Sequence, residues 1–251
     1  MSVRGIRCVY SNPSGPALNY AYRDGESINL TTTDLTFTVW ARIIGVTADG
    51  VRGQIPLAMS ENLLDYVGMF MTADITSPYN MRWRVYVLGS PTDVGSWSVA
   101  NGETWFYAIT WDHVTATWTA YAAKDGDVSM GSPSSSSAGF GTSTLTTVYI
   151  GGGPYSSLWG GNIECTDPKL WVGVAKDATA LLAEKNSDAP SNATSIRANW
   201  PLLSSSSLAN TSGADGSLVL SGGVSDALVL DPADIRTATG IQCTFYGKLI
   251  A

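Results

Sequence analysis

One stretch decides the fold: Trp105-Phe-Tyr-Ala-Ile-Thr-Trp111, then Asp112-His-Val-Thr-Ala116, then Trp118-Thr-Ala-Tyr-Ala122. Apolar side chains recur at every second position before and after residues 112–116: Trp105, Tyr107, Ile109 and Trp111, then Trp118, Ala120 and Ala122. Because successive side chains of a strand point to opposite faces, this period of two is typical of strands buried on one face. The polar segment between them contains turn-forming residues. We therefore predict a β-hairpin whose turn spans residues 112–116.

The same alternation recurs on both sides of this hairpin. Over 35–43 it places Leu35, Phe37, Val39 and Ala41 on one face and Thr36, Thr38, Trp40 and Arg42 on the other. Over 81–87 it places Met81, Trp83, Val85 and Val87 opposite Arg82, Arg84 and Tyr86. Further strands are predicted at 146–151, 169–174 and 217–221, and the serine-rich runs 132–137 and 204–207 are predicted to be polar loops. The pattern indicates an all-β sandwich.

Only one segment has a helical pattern. Asp177 is suited to cap the unpaired amides that open a helix at 178–185, and Asn186 is suited to end it. Leu181 and Leu182 are expected to hold this short helix against the sandwich.

The order of these segments resembles the laminin-G-like branch of the concanavalin A-like jelly rolls. Phe37-Thr-Val-Trp-Ala-Arg42 resembles an early strand of that superfamily, and the 105–111 and 118–126 segments resemble its paired strands ending in an Asp-Gly turn. Tyr149-Ile-Gly-Gly-Gly153, Trp159-Gly-Gly-Asn-Ile-Glu164 and Lys169-Leu-Trp-Val172 resemble its closing pattern. Ala198-Asn-Trp-Pro-Leu202 resembles a segment of such proteins in phages and environmental bacteria. The resemblance implies a jelly-roll sandwich and leaves function open, since the superfamily includes lectins, adhesion modules, glycanases and capsid components.

The composition excludes several classes of partner. Charged residues make up 14% of the 251 residues and the net charge is -7, so an acidic surface would repel a nucleic-acid backbone. Residues 1–10 lack the apolar stretch of a signal peptide, and no run is long enough to cross a bilayer. Cys8, Cys165 and Cys243 are too scattered for a disulfide framework or a metal knuckle, so free thiols are expected.

The expected organisation is one jelly-roll domain over 1–251. The strand signal of residues 1–27 is mixed, so this segment is either part of the sandwich or an arm that grips a partner. Residues 197–251 are expected to supply the completing strands and a tail.

No catalytic residue is predicted. Retaining glycanases need two carboxyls close together, and none of Glu26, Glu61, Glu103, Glu164 and Glu184 begins the Glu-x-Asp-x-x-Glu motif that such enzymes of this fold carry. His113 lies beside Asp112 in the predicted turn, but no nucleophile motif accompanies the pair. We therefore expect a protein that is not an enzyme.

No metal or other cofactor is predicted. Some laminin-G-like domains hold calcium through loop aspartates, and this chain has five in loop-like settings: Asp65, Asp93, Asp125, Asp127 and Asp215. Their spacing selects no set as an oxygen cage, and aspartate commonly satisfies backbone donors in turns.

Aromatic residues are the best candidates for a contact surface, because aromatic rings stack on sugars and anchor protein interfaces. Trp83, Trp105 and Trp111 follow the strand alternation and are assigned to the core or to a sheet face rather than to a ligand site. Four others lie beside Gly, Pro and Ser in segments predicted to be loops: Tyr79, Trp97, Tyr155 and Trp159. These four are the predicted ligand or partner contacts.

Together these features favour a non-enzymatic structural or attachment protein of a virion, such as a capsid decoration, fibre or tail component. The expected partners are other virion or surface proteins, further copies of the chain, or a glycan. The alternative is a lectin-like carbohydrate-binding module, and a glycoside hydrolase is disfavoured by the missing acid/base pair.

Overall fold

The computed structural model describes residues 6–8, 20–45, 57–60, 65–71, 78–137, 144–151, 162–187, 190, 195–200, 211, 216–221 and 225–226. The strands are β1 (Ile6–Cys8), β2 (Tyr20–Asn29), β3 (Leu35–Gly45), β4 (Leu57–Ser60), β5 (Tyr66–Met71), β6 (Tyr79–Val87), β7 (Ser90–Val99), β8 (Thr104–Asp112), β9 (Thr117–Lys124), β10 (Ser134–Ser136), β11 (Thr144–Ile150), β12 (Asn162–Val172), β13 (Ile196–Asn199), β14 (Val219–Ser221) and β15 (Ser225–Asp226). One helix, α1 (Ala178–Lys185), is present in these residues.

The strands form two antiparallel sheets. The first sheet has the order β10-β9-β8-β3-β12-β1-β15, and β13 pairs with β12 beside this path. The second sheet has the order β14-β2-β11-β4-β5-β6-β7. Some neighbours in each sheet are consecutive in sequence, as in the run β4-β5-β6-β7, and others are distant, as when β3 lies between β8 and β12. The fold therefore depends on both local and long-range pairing.

The predicted hairpin is confirmed. β8 and β9 pair with Trp111 opposite Trp118, and the turn begins at Asp112, whose Oδ1 accepts hydrogen bonds from the backbone amides of Val114 and Thr115. Ala116 completes the turn with a positive φ of 49°. An aspartate that satisfies two turn amides explains locally why the chain reverses here.

The core lies between the two sheets and follows the predicted alternation. It contains Leu35, Phe37, Val39, Ala41, Met81, Trp83, Val85, Tyr107, Ile109, Trp111, Trp118, Ala120 and Ala122, all buried. Trp105 packs partly buried at its margin. Burial of these apolar faces is the main favourable term in folding of the sandwich.

Helix α1 has the predicted bounds and covers the outer face of the first sheet. Asp177 accepts a hydrogen bond from the Ala180 amide at 2.8 Å, which caps the helix, and Asn186 ends it. Leu181 is fully buried in a second apolar cluster, which also contains Trp40, Phe106, Ala108, Tyr121, Ala123 and Met130. The outward-facing aromatic residues of β3 and β8 are therefore buried by the helix.

A buried ionic network also joins this helix to the sandwich. Glu184 is fully buried, and its carboxylate lies 2.6 Å from the Lys176 ammonium and 3.9 Å from that of Lys169. Lys169 also pairs with Asp167 at 2.8 Å. Lys185 donates to the Asp127 carbonyl at 2.9 Å.

Two expectations about segments are changed or extended. The run 132–137 is not wholly loop, because Ser134–Ser136 forms β10, an edge strand paired with β9. In the 1–27 segment, β1 pairs with β12 and β15, while β2 pairs with β11 and β14. A single domain over 1–251 remains a proposal, supported by a core that draws on residues from Ile28 to Leu218.

Cys165 is buried and forms no disulfide bond within the part of the chain that the structure describes. Cys8 lies in β1, while Cys243 and the 204–207 run lie outside the described residues. Among the described residues, no helix has the length and hydropathy needed to span a membrane.

Candidate binding face

A row of residues crosses the outer face of the second sheet from Tyr22 to Asp93, with further tyrosines and an arginine beside it. Register pairs Tyr22 with Tyr149, Tyr149 with Ala58, Ala58 with Gly68, Gly68 with Arg84, and Arg84 with Asp93. Successive side chains of a strand point to opposite faces of the sheet. The sequence neighbours of these residues therefore point into the core, among them Val67, Met69, Val85 and Val148. The row therefore lies on the side opposite the core.

Tyrosine rings pack together on this face. Tyr66 and Tyr86 stack with ring centroids 4.3 Å apart and planes at 15°, and Tyr22 and Tyr149 stack at 6.4 Å and 26°. Tyr66, Tyr86 and Tyr149 are buried, whereas Tyr22 is half-buried and offers the most accessible ring of the four. Offset-stacked rings restrict one another's movement, so the tyrosine side chains of this cluster are held in fixed positions.

The phenol of Tyr66 is held in its neutral form. Burial raises its pKa well above the usual value of 10.0, and the adjacent Tyr86 raises the pKa further by its charge interaction and hydrogen bond. Tyr66 therefore acts as a neutral hydrogen-bonding group at physiological pH.

Two arginines share one aspartate beside the tyrosines. The Arg82 Nη1 lies 2.9 Å from Asp93 Oδ2, and the Arg84 Nε lies 2.5 Å from Asp93 Oδ1. The exposed fractions of these side chains are 30% for Arg82, 18% for Arg84 and 42% for Asp93. Partial burial disfavours the charge of Arg84, but hydrogen bonds to Asp93 and Tyr86 outweigh it, and the pKa of Arg84 is raised.

We call Tyr22, Tyr66, Tyr86, Tyr149, Arg82, Arg84 and Asp93 the tyrosine–arginine face. Four strand steps separate Tyr22 from Arg84, about 19 Å at the usual spacing of strands. The accessible side chains offer an aromatic ring at one end, and at the other end guanidinium donors with a carboxylate acceptor. Such a surface is suited to binding an extended ligand that has both apolar and polar faces.

Two of the four predicted contact residues, Tyr79 and Trp97, fall within the described part of the chain. The loop placement predicted for Tyr79 and Trp97 is wrong: both lie in strands, because the alternation of β6 and β7 extends further than their Pro- and Ser-containing flanks indicated. Tyr79 is buried in the core, and Trp97 is half-buried against it. Tyr155 and Trp159 lie outside the described residues, so their role as contacts stays a prediction.

Three of the five aspartates considered for calcium bind other groups in the structure. Asp65 accepts a hydrogen bond from the Leu88 amide, and Asp127 accepts one from the Lys124 amide, both at 2.8 Å. Asp93 pairs with the two arginines. Asp215 lies outside the described residues. The turn role expected of aspartate is confirmed for Asp127, whereas the amide that donates to Asp65 is 23 residues away in sequence.

His113 pairs with a residue that the sequence did not indicate. Its Nδ1 lies 2.6 Å from Asp34 Oδ1, which also accepts from the His113 amide. Asp34, Asp112 and His113 could offer three ligand atoms within 4.8 Å of one another to a cation. Both aspartates already satisfy backbone amides in turns, so the geometry is explained without an ion. The β3–β8 register explains this contact, because the pairing of Leu35 with Trp111 places Asp34 beside the turn. The contact could have been predicted only from that register.

No protein-family model matches the sequence, and no curated protein matches it. Among solved structures, a heptameric SAP-like pentraxin from Limulus polyphemus matches with a TM-score of 0.58 at 15% identity, over 91% of this chain and 98% of that one. A Bacteroides ovatus protein proposed to bind carbohydrate matches with a TM-score of 0.56 at 10% identity, over 91% of this chain and 63% of that one. Tailspike protein 2 of the Escherichia coli O157:H7 bacteriophage CAB120 matches with a TM-score of 0.51 at 9% identity, over 72% of this chain.

The chain thus spans a quarter of the tailspike and under two thirds of the Bacteroides protein. At these identities the likenesses concern the fold alone. They show that the two sheets form a jelly-roll sandwich of the concanavalin A-like kind, as the sequence predicted.

Proposed function

We propose that this chain is a non-enzymatic attachment protein of a virion, a fibre, tail or decoration component, and that its tyrosine–arginine face binds a saccharide. The observation that carries the proposal is the row from Tyr22 to Asp93 on the outer side of the second sheet. The helix covers the outer side of the first sheet, whereas the outer side of the second sheet carries the half-buried Tyr22 ring and the partly exposed Arg82, Arg84 and Asp93.

Saccharides have the matching chemistry. A pyranose ring has an apolar face of C–H groups that packs on an aromatic ring, and a rim of hydroxyls that pair with planar polar side chains. Tyr22 supplies a ring, Asp93 supplies acceptors, and Arg82 and Arg84 supply donors. The fold shared with a phage tailspike and with a protein proposed to bind carbohydrate supports this assignment.

The second candidate is a purely structural role, in which the same face packs against a neighbouring chain of the particle. Tyrosine and arginine are also the residue types enriched at the energetic centres of protein interfaces. The short strands at the sheet edges, β10 and β14, offer backbone groups that further copies could pair with.

The deciding experiment is a glycan-array screen of the purified chain, followed by titration of each hit with Tyr22→Ala. Loss of the half-buried ring should weaken binding about three- to tenfold, the range expected for one aromatic contact. Trp105→Ala is the matched control, since it removes another half-buried aromatic from the opposite sheet and should leave the affinity unchanged.

Native mass determination on the same sample covers the structural candidate. Self-association, or binding to other particle proteins, with no glycan signal would favour that candidate and reject saccharide binding. Equal weakening by Tyr22→Ala and Trp105→Ala would show that the loss comes from general destabilisation.

A further inference from the structure

Resting on the proposed function, we infer that the saccharide is anionic and that its carboxylate is bound by the Arg82–Asp93–Arg84 cluster. Two guanidinium groups and one carboxylate give the cluster a charge of +2 - 1 = +1, on a chain whose net charge is -7. A local positive site on an acidic protein attracts an anionic group that the rest of the surface repels.

The cluster retains hydrogen-bonding capacity. Asp93 engages one nitrogen of each arginine, Nη1 of Arg82 and Nε of Arg84, while each guanidinium carries five N–H donors. Of the described residues, Asp93 is the one that hydrogen-bonds to the Arg82 guanidinium, and the Nε of Arg82 is buried without an acceptor among them. Both arginine side chains are partly exposed, so the donors that a ligand could reach are terminal Nη groups rather than this Nε.

The geometry favours a carboxylate over a hydroxyl. The planar fork of a guanidinium matches a carboxylate with two parallel hydrogen bonds, and charge assistance makes each of these bonds about twice as strong as a neutral one. The rigid Tyr66–Tyr86 stack beside Arg84 limits the movement of that side chain. A sugar acid therefore gains more here than a neutral sugar does.

The opposite end of the face has the opposite charge. Asp24 lies on β2 next to the tyrosines and accepts a hydrogen bond from Thr147 at 2.8 Å. Four strand steps, about 19 Å, separate it from the arginines, beyond the screening length of physiological salt. An extended chain of sugar acids would therefore place a carboxylate at the arginines and a ring at Tyr22.

Asp93 competes with the ligand for the arginine donors, so its replacement by a neutral side chain should strengthen binding. Asp93→Asn keeps the size of the side chain and raises the charge of the cluster from +1 to +2. Affinity for an anionic saccharide should rise about threefold or more, because charge-assisted donors are released. A purely structural role for Asp93 gives the reverse, a loss of affinity together with a loss of stability.

The test compares oligogalacturonides with the same oligomers after their carboxylates are reduced to hydroxymethyl groups, by isothermal titration with the full chain. We expect the wild type to prefer the charged oligomer by about tenfold, with the preference falling as salt is added. Arg82→Gln and Arg84→Gln should abolish the preference, because affinity for the charged oligomer should fall by a larger factor than affinity for the reduced one.

Lys124→Gln is the control, since it removes one positive charge from an exposed ion pair with Glu103 on the first sheet. It should leave the preference for the charged oligomer unchanged. Equal affinity for both oligomers, or lost preference in Lys124→Gln as well, would overturn the inference while leaving saccharide binding intact. Failure of every glycan to bind would reject the proposed function and this inference together. If Asp93→Asn unfolds, the two arginine variants against Lys124→Gln carry the test alone.

Discussion

At the scale of single residues, Glu103 shows how a few hydrogen bonds lower the pKa of a carboxyl group. One of its oxygens accepts from the Ala100 amide at 2.9 Å and from Trp105 Nε1 at 3.1 Å, and the other pairs with Lys124 at 2.5 Å. Burial raises the pKa of Glu103, but these donors stabilise the carboxylate more strongly, and the pKa lies below its usual 4.5. The charged form is thus favoured by the folded chain.

Acid should therefore weaken the fold through this residue. A carboxyl whose pKa is lower in the folded state adds stability above the unfolded pKa, near 4.5, and loses it as the pH falls through the folded value. Glu103→Gln should flatten the dependence of the unfolding midpoint on pH below about 4.5. Urea unfolding at a series of pH values measures this.

Lys124→Gln is the companion variant, because it leaves the two N–H donors of Glu103 in place and should give an intermediate slope. A slope in Glu103→Gln as steep as in the wild type would show that other carboxyls dominate the acid response.

The candidate site was only partly predictable from residues. Alternation over 81–87 correctly placed Arg82, Arg84 and Tyr86 on one face, opposite the core. That Asp93 joins them depends on the β6–β7 register, which shifts at a bulge after Trp83. Tyr22 and Tyr149 meet through long-range pairing, and no local pattern in the sequence encodes such a pairing.

At the scale of elements, helix α1 depends on local signals, which is why its bounds were predictable. The Asp177 side chain satisfies the Ala180 amide, and its backbone carbonyl accepts from Leu181 at 2.9 Å. A cap of this kind is worth about 1 kcal/mol.

Asp177→Ala should lower the free energy of unfolding by about 1 kcal/mol, and Asp177→Ser should recover most of it, since serine also accepts from the helix amides. Chemical denaturation of the three chains compares them. If serine and alanine cost the same, the cap hydrogen bond is not the source of the stability.

Strand β10 marks the limit of local signals. Three serines have no apolar alternation, and they become a strand only because β9 offers a free edge and Gly95 of β7 lies close by. A Cβ on Gly95 would meet Ser134 Cβ at 3.2 Å and Ala120 Cβ at 3.3 Å, so the strands approach closely there. The sequence predicted a loop because the contacts that make this segment a strand come from residues of β7 and β9, outside the segment itself.

At the scale of the whole molecule, a chain with few charges buries several of them under the helix. Glu184 bonds to Lys176 at 2.6 Å, and Lys176 also lies 4.1 Å above the Trp171 ring. Buried charges are tolerated only when paired, because removal of one partner leaves the other desolvated.

Glu184→Ala should therefore destabilise the protein by about 3–5 kcal/mol, much more than an exposed pair would. Lys124→Ala, which breaks the more exposed pair with Glu103 and leaves its other two hydrogen bonds in place, is the comparison and should cost about 1 kcal/mol or less. Equilibrium unfolding in urea measures both. Similar costs for the two variants would show that the buried network is not held by its charges.

The helix and its buried network lie on one broad side of the sandwich, and the tyrosine–arginine face lies on the other. The two sheets of the sandwich therefore differ in the chemistry of their outer faces. When copies are mounted side by side through the helix side, every copy turns the same chemistry outward. Each contact then raises the effective concentration for the next, so an array would hold a repetitive polymer by avidity even where one copy alone binds it weakly.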